Sequence, residues 1–299
     1  MNRQEFIRSF SIVGIMGSTQ TIKALADTLP DKDSLMPALF IGHGSPTNAL
    51  EDNEFTRNWK RLSREMPRPT AILCISAHWL TNGSYVTAMN APRTIHDFGG
   101  FGKELYEAQY PAPGHPEIAK EAQDLITSSR VRLDHEWGFD HGSWSVAKQM
   151  YPEADIPMIQ LSIDYHKSPR YHYDLSKQLY SLRKKGILII GSGNLIHNIR
   201  LADPSRGFAP DENGVFPSYA FDWADEFNEK FKGYFLNGNF QAAVDYEKLG
   251  ELATLAHPTP DHYYPLLYTL GVARDDEKAE IFNDKSFVGS LSMTSVKFG

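Results

Sequence analysis

Pro37-Ala38-Leu39-Phe40-Ile41 is a short apolar run that opens directly into Gly42-His43-Gly44-Ser45-Pro46. A run this short, uncharged and closed by glycine reads as a buried strand. The glycines flanking His43 let the backbone turn sharply and bring an imidazole close to a small ligand. The same pattern returns twice. Ala71-Ile72-Leu73-Cys74-Ile75-Ser76 is a second buried strand, and it ends in Ala77-His78-Trp79. Gly186-Ile187-Leu188-Ile189-Ile190 is a third of this kind, ending in Gly191-Ser192-Gly193-Asn194 with His197 shortly after.

Outward from these runs, strands and helices alternate. Helical spacing is predicted over 51–65, 102–109, 115–127, 169–184, 218–236 and 261–270, and further strands over 85–89, 157–163 and 290–298. Continuous apolar strands between helices predict an α/β fold, a single domain with a mostly parallel central sheet flanked by helices. In such folds ligands bind beyond the carboxyl ends of the strands. That places a metal site where the histidine motifs fall. No linker interrupts the domain, read as 36–299, and 203–217 reads as a mobile surface loop within it.

The chain of 299 residues is 41% hydrophobic and 22% charged, with a formal net charge of −7. That charge gives no footprint for nucleic acid or an anionic membrane. No stretch approaches the ~18 apolar residues of a membrane span. The single cysteine, Cys74, excludes an intrachain disulfide and reads as a core residue, so a cytoplasmic enzyme fits, as a monomer or a small homo-oligomer. Residues 1–35 read as an extension. Arg3 and Arg8 precede a short apolar run, Phe10 to Gly17, which faintly has the form of an export signal, but Ser11 and Gly14 weaken it. A short amphipathic helix is the preferred reading.

Eleven histidines stand out. One at a strand end is usually structural, but His43 and His78 close strands expected to be neighbours, ~4.8 Å apart, so both rings can reach one point. Imidazole is the commonest ligand for such metals as zinc, iron and copper. His197 lies six residues beyond its strand and is expected on the first turn of a helix. The glycine-rich run before it lacks the lysine of a phosphate loop. His262 follows Pro258 and Pro260, which hold its approach extended, and is expected to open a helix capped by Thr259 or Asp261. His257 is expected at the surface or behind the site. His141, in a loop before a helix, and His96, in a Gly/Phe loop, are expected on the substrate side. His115, His135, His166 and His172 read as surface or structural.

Taken together, the runs 36–46 (MPALFIGHGSP), 75–79 (ISAHW), 94–101 (TIHDFGGF), 138–144 (GFDHGSW), 191–198 (GSGNLIHN), 258–265 (PTPDHYYP) and 289–295 (GSLSMTS) resemble the 4,5-DOPA extradiol dioxygenase family. That family sits within the class typified by the catalytic subunit of protocatechuate 4,5-dioxygenase. The resemblance runs from about residue 36 to the C-terminus. It implies a non-haem metal enzyme that inserts O2 into a catechol-type, DOPA-like substrate and opens the ring next to the diol. It implies a metal held by His43, His78 and His262, with His197 at the metal or just beyond it. The metal is Fe(II) for activity, with Zn(II) as a bound or alternative metal. His197 is then the base and His141 the acid. His96, Asp97, Trp79 and Trp144 are expected near the substrate, with Phe98 a further wall. Asp140, Asn194 and Asn198 are expected to fix imidazole tautomers. One departure stands out: the larger class uses two histidines and a glutamate, and no matching glutamate is found here. Two other classes remain open, a zinc-dependent hydrolase using Asp97 or Asp140 as base and a non-catalytic binding protein on the same scaffold.

Overall fold

The computed structural model describes residues 34–299, so the N-terminal extension, except for its last two residues, lies outside the described residues. The apolar runs become the strands β1 (Ala38–Gly42) and β2 (Ala71–Ser76), both buried throughout. After β2 come two short strands, β3 (Leu80–Thr81) and β4 (Ser84–Thr87), then β5 (Val131–Asp134), β6 (Met158–Gln160) and β7 (Ile163–Asp164). The strand β8 (Ile187–Gly193) and the short β9 (Ile196–His197) follow. Last come β10 (Ala279–Phe282), β11 (Ser286–Phe287), β12 (Leu291–Ser292) and β13 (Ser295–Phe298).

The main sheet has the order β10-β13-β1-β8-β2-β6. β1, β8, β2 and β6 pair in parallel, while β13 runs antiparallel to both β1 and β10. The sheet is therefore mixed at one edge, and the final run splits: 291–292 joins β9 and β11 in a small separate sheet, and 295–298 joins the main one. β5 and β10 carry half-exposed, charged positions and have no apolar run to announce them.

Register sets the site. Ile41 and Ser76 both pair with Ser192, and Gly42 pairs with Gly193, so three neighbouring strands end at one level. His43 follows directly on β1, and His78 lies two residues past β2. The run Gly191-Ser192-Gly193 is strand, not the turn expected from its glycines. A Cβ on Gly191 would meet the Pro265 carbonyl and Thr269, and one on Gly193 would meet the His262 carbonyl. These residues are glycines because another segment lies directly on the strand there.

That segment leads into the helix Tyr264–Val272, buried on all sides and covering one face of the sheet. The other face takes two helices. Glu54–Glu65 buries Phe55, Trp59 and Leu62 at helical spacing, and its Asn53 forms a capping box with Thr56. His141–Met150 lies beside it, with the Asp140 side chain accepting from Ser143 N–H. The predicted helix over 169–184 divides into Pro169–Lys177 and Tyr180–Lys184, and that over 218–236 begins at Asp222. Cys74 is a buried free thiol within this core. Among the described residues no helix is long and apolar enough to cross a membrane.

Candidate metal centre and its cavity

Beyond the level ends of β1, β8 and β2, one ring nitrogen from each of His43, His78 and His262 comes within 4.8 Å of the others. Each ring is oriented from behind. The hydroxyl hydrogen of Ser192 goes to the Gly142 carbonyl, so Ser192 Oγ accepts from His43 Nδ1–H at 3.0 Å. The lone pair of His43 is then on Nε2. His262 Nδ1 lies 2.5 Å from Asp261 Oδ2, and His78 Nδ1 lies 3.5 Å from Asp97 Oδ2. Three outer nitrogens are thus turned toward oxygen, and three Nε2 atoms are left to face one another. This is the arrangement in which outer partners fix the tautomers of metal-binding histidines.

Burial, reinforced by the mutual proximity of the imidazoles, lowers the pKa of His43 and His262 well below the usual histidine value. Burial and the neighbouring His141 take His78 down to about 3. All three are neutral at pH 7, the state that offers a lone pair. His43 Nε2 and His78 Nε2 are 3.1 Å apart. With the hydrogen on Nδ1 in both rings, two lone pairs that close would repel. A shared metal removes the repulsion, and ligands at ~2.1 Å from one ion subtending about a right angle have that separation. The residues present fit a single metal ion.

Two more histidines border this cluster. His197 is carried by β9, whose partner β12 pairs Leu291 with His197. It stands four residues past β8 on a strand, not on a helix, because the small sheet captures it. Its ring stacks on that of His262, with centroids 3.5 Å apart. Neither ring nitrogen of His197 has a hydrogen-bond partner among the described residues. Burial takes its pKa to about 4. His141 opens its helix, with its ring 3.9 Å from that of His78. Asp97 accepts from the His141 backbone N–H at 2.8 Å and holds its Nδ1 at 3.0 Å. Burial alone would raise the pKa of Asp97, but the bonds and charge of His141 outweigh it and hold the carboxylate low.

Several expected placements are corrected. His262 sits in a turn two residues before its helix, and Asp261 is turned to its ring instead of capping. Of the two places expected for His257, the surface is ruled out: it is buried behind the cluster, with Nε2–H on the Leu195 carbonyl at 2.8 Å. Trp144 is buried with its indole N–H on the Ile95 carbonyl, and Trp79 stacks on Trp137, so both are core residues and not walls of the cavity. His96 bonds the Ala108 carbonyl and packs on Phe98 and Trp144, away from the cavity lining. Asp97 lies behind the His78 and His141 rings and is not part of the cavity lining. Ser192, Asp97 and Asp261 fix the tautomers, whereas Asn194 and Asn198 bond the carbonyls of Ser292 and Leu255. Asp140 caps its helix, and burial raises its pKa to about 6. Neither acid named for the hydrolase reading therefore faces the cavity.

The cavity holds about 520 Å³, with the histidine cluster in its lining. Its apolar walls include Phe55, Phe216, Phe287, Phe101 and Phe208. The stretch 203–217, expected as a surface loop, supplies two of these rings. It is pinned where the Phe216 backbone N–H donates to Glu54 at 2.7 Å and Lys285 bridges Glu54 and the Phe216 carbonyl. Sequence pattern misses these walls because isolated phenylalanines in irregular segments carry no period.

Residues 37–299 match the family model described as the catalytic LigB subunit of aromatic ring-opening dioxygenase. The chain is 47% identical to the 4,5-DOPA dioxygenase extradiol of Escherichia coli (strain K12), covering 88% of this chain and 95% of that one. It is 38% identical to the 4,5-DOPA dioxygenase extradiol of Beta vulgaris, covering 89% and 98%. A crystal structure of an uncharacterized protein from Escherichia coli K12 superposes with a TM-score of 0.73 at 43% identity, over 88% of this chain and all of that one. With a histidine cluster suited to a metal at the strand ends and a match of this length, the chain belongs to the LigB family of aromatic ring-opening dioxygenases, on its 4,5-DOPA extradiol branch.

Proposed function

We propose that the chain opens a DOPA-like catechol next to its diol, with His43, His78 and His262 holding the metal, His197 as base and His141 as acid. Fe(II) is the working metal and Zn(II) an alternative occupant. The observation that carries this reading is the set of three neutral imidazoles in the lining of an aromatic cavity, His43 and His262 bonded from behind by Ser192 and Asp261 and His78 with Asp97 3.5 Å from its Nδ1. Bound there, Fe(II) supplies Lewis acidity toward the catechol oxygens and redox capacity toward O2.

The protein's own groups do the rest. The phenylalanine walls orient the ring and exclude water. His197 is neutral, stacked in place and has free nitrogens, so it can take the proton of a catechol hydroxyl. Asp97 accepts from Nδ1–H of His141, so Nε2 is the nitrogen of that ring that can take up a proton released in the cavity and return it to an oxygen there. An iron enzyme whose one cysteine is buried suits the cytoplasm, as a monomer or small homo-oligomer.

The test is to load metal-free protein with Fe(II) without oxygen, add L-DOPA, admit O2 and follow oxygen uptake with the absorbance of a yellow ring-opened product. Stoichiometric uptake, lost with Zn(II) or in His43→Ala, is expected. No uptake across a panel of catechols, with metal bound and the fold intact, would overturn the reading.

A further inference from the structure

We propose that Glu51 reads the tail of the substrate, selecting catechols that carry an ammonium group over those that carry a carboxylate. This rests on the ring-opening reading above and adds to it the charge of the substrate's side chain.

Glu51 lines the same cavity as the histidine cluster, and no lysine or arginine does so among the described residues. Its place is fixed. The Glu51 backbone N–H donates to the Thr47 carbonyl at 3.1 Å, and its carbonyl accepts from Thr56 Oγ1 at 3.0 Å and Gln149 Nε2 at 3.1 Å. The carboxylate is oriented by Asn53, whose Nδ2 donates to Oε2 at 3.0 Å. The second hydrogen of that amide goes to Asn48 Oδ1 at 2.8 Å, and Asn48 donates in turn to the His43 carbonyl at 2.9 Å. Both asparagines are buried. A chain of hydrogen bonds therefore sets the carboxylate at a constant position relative to the first metal-binding histidine. Oε1 of Glu51 has no partner among the described residues, so one acceptor is left for a ligand.

The surroundings favour a cation. Phe55, Phe216 and Phe287 form a packed triad in the wall, with centroid separations of 5.2, 5.8 and 6.4 Å. Aromatic faces attract ammonium groups and give nothing to a carboxylate. An anionic tail would lie near Glu51 with no basic side chain in the cavity to pair it, and like charges brought together inside a cavity are strongly disfavoured. A zwitterionic tail such as that of DOPA would give its ammonium to Glu51 and turn its own carboxylate toward the mouth.

The experiment has two arms. In the first, tyramine and 3-(4-hydroxyphenyl)propionate are titrated calorimetrically into metal-free protein; neither needs turnover. In the second, kcat/KM is measured for dopamine and 3,4-dihydroxyphenylpropionate on the Fe(II)-loaded enzyme. The amine is expected to be favoured by at least about tenfold in both arms. Glu51→Gln keeps the acceptor for Asn53 and is expected to bring the ratio within about threefold of unity, while Glu51→Lys inverts it. Equal values for amine and acid in the unaltered protein, or a ratio that Glu51→Gln leaves in place, would overturn the proposal. Failure to cleave any catechol would instead overturn the ring-opening reading, and the tyramine comparison would still decide the role of Glu51.

Discussion

His197 and His262 stack face to face, their centroids 3.5 Å apart and their planes 9° from parallel. One ring has its Nδ1 committed to Asp261, and the other has no hydrogen-bond partner among the described residues. The pair therefore suits a division of the proposed work: His262 is immobilised, as a metal ligand would need to be, and His197 is held by stacking with its nitrogens free. Removing His197 should spare the metal and cost the proton transfer. His197→Ala is expected to lower kcat by roughly 10²–10⁴ while metal content stays near one per chain. His197→Phe, which keeps a stacking partner, should be as slow as the alanine variant. Loss of metal in both variants would instead make His197 a ligand.

Asp261 offers an answer to the missing glutamate. A carboxylate behind an imidazole raises the basicity of the ring, so with a metal bound to His262 the negative charge would lie behind the ligand, on Asp261 Oδ2, instead of on the metal. Asp261→Asn keeps the shape and removes the charge. The metal dissociation constant, measured by chelator competition, is expected to rise about 10–100-fold. No change would mean that the three imidazoles suffice alone.

Gly142 leaves no room for a side chain between the histidine rings. A Cβ there would lie 2.9 Å from His78 Cδ2 and 3.3 Å from His43 Cε1, and closer still to Ser76 Oγ. Its carbonyl also takes the Ser192 hydroxyl that fixes His43. Gly142→Ala should therefore push the two rings apart while the helix His141–Met150, which favours alanine over glycine by about 1 kcal/mol, persists. Weakened metal binding with a native circular dichroism spectrum is the expected outcome.

The strand ends were legible because three apolar runs each closed on glycine, serine or alanine before a histidine, and parallel pairing brings such ends level. The role of Ser192 was not legible. In a glycine-rich run it reads as part of a turn, and only the register Ile41↔Ser192↔Ser76 shows it under the His43 ring. His197 was assigned to the wrong element because its capture depends on β12, almost a hundred residues later. Trp79 and Trp144 were expected beside the substrate because motif proximity cannot tell a wall from the layer behind it. The cavity walls Phe208 and Phe216 lie on a loop whose position comes from Glu54 and Lys285, contacts without periodic trace.

Outside the metal centre, His172 gives a clean pH dependence. It is fully buried, with Nδ1 3.0 Å from the Tyr268 hydroxyl, and burial takes its pKa to about 4. The unfolded chain binds a proton near pH 6.5, which the folded chain refuses until about 4. Stability is thus fully present at pH 7 and above, falls as pH drops below about 6.5, and levels off below about 4; the loss is about 2 kcal/mol by pH 5 and about 3 in full. Unfolding free energies from urea denaturation at pH 7.5 and 5 should differ by about 2 kcal/mol less in His172→Phe than in the unaltered chain. An unchanged difference would mean the burial of His172 is relieved by local opening.

Arg183 makes the last prediction, and it concerns the frame. Its side chain is completely buried and its guanidinium meets both Glu277 oxygens, at 2.9 and 2.6 Å. The remaining donors reach the carbonyls of Met36 at 2.7 Å, Val272 at 2.6 Å and Phe298 at 3.4 Å. One cation thereby ties the entry to β1, the end of the helix that covers the sheet, and the end of β13. Arg183→Met leaves the Glu277 carboxylate largely buried without its partner, which costs about 3–5 kcal/mol. The double variant Arg183→Met, Glu277→Gln removes that unpaired charge and should recover part of the loss. It should not recover all of it, because three backbone carbonyls remain without their donor. Full recovery in a denaturation experiment would show that the charge pair, and not the carbonyl contacts, is what Arg183 contributes.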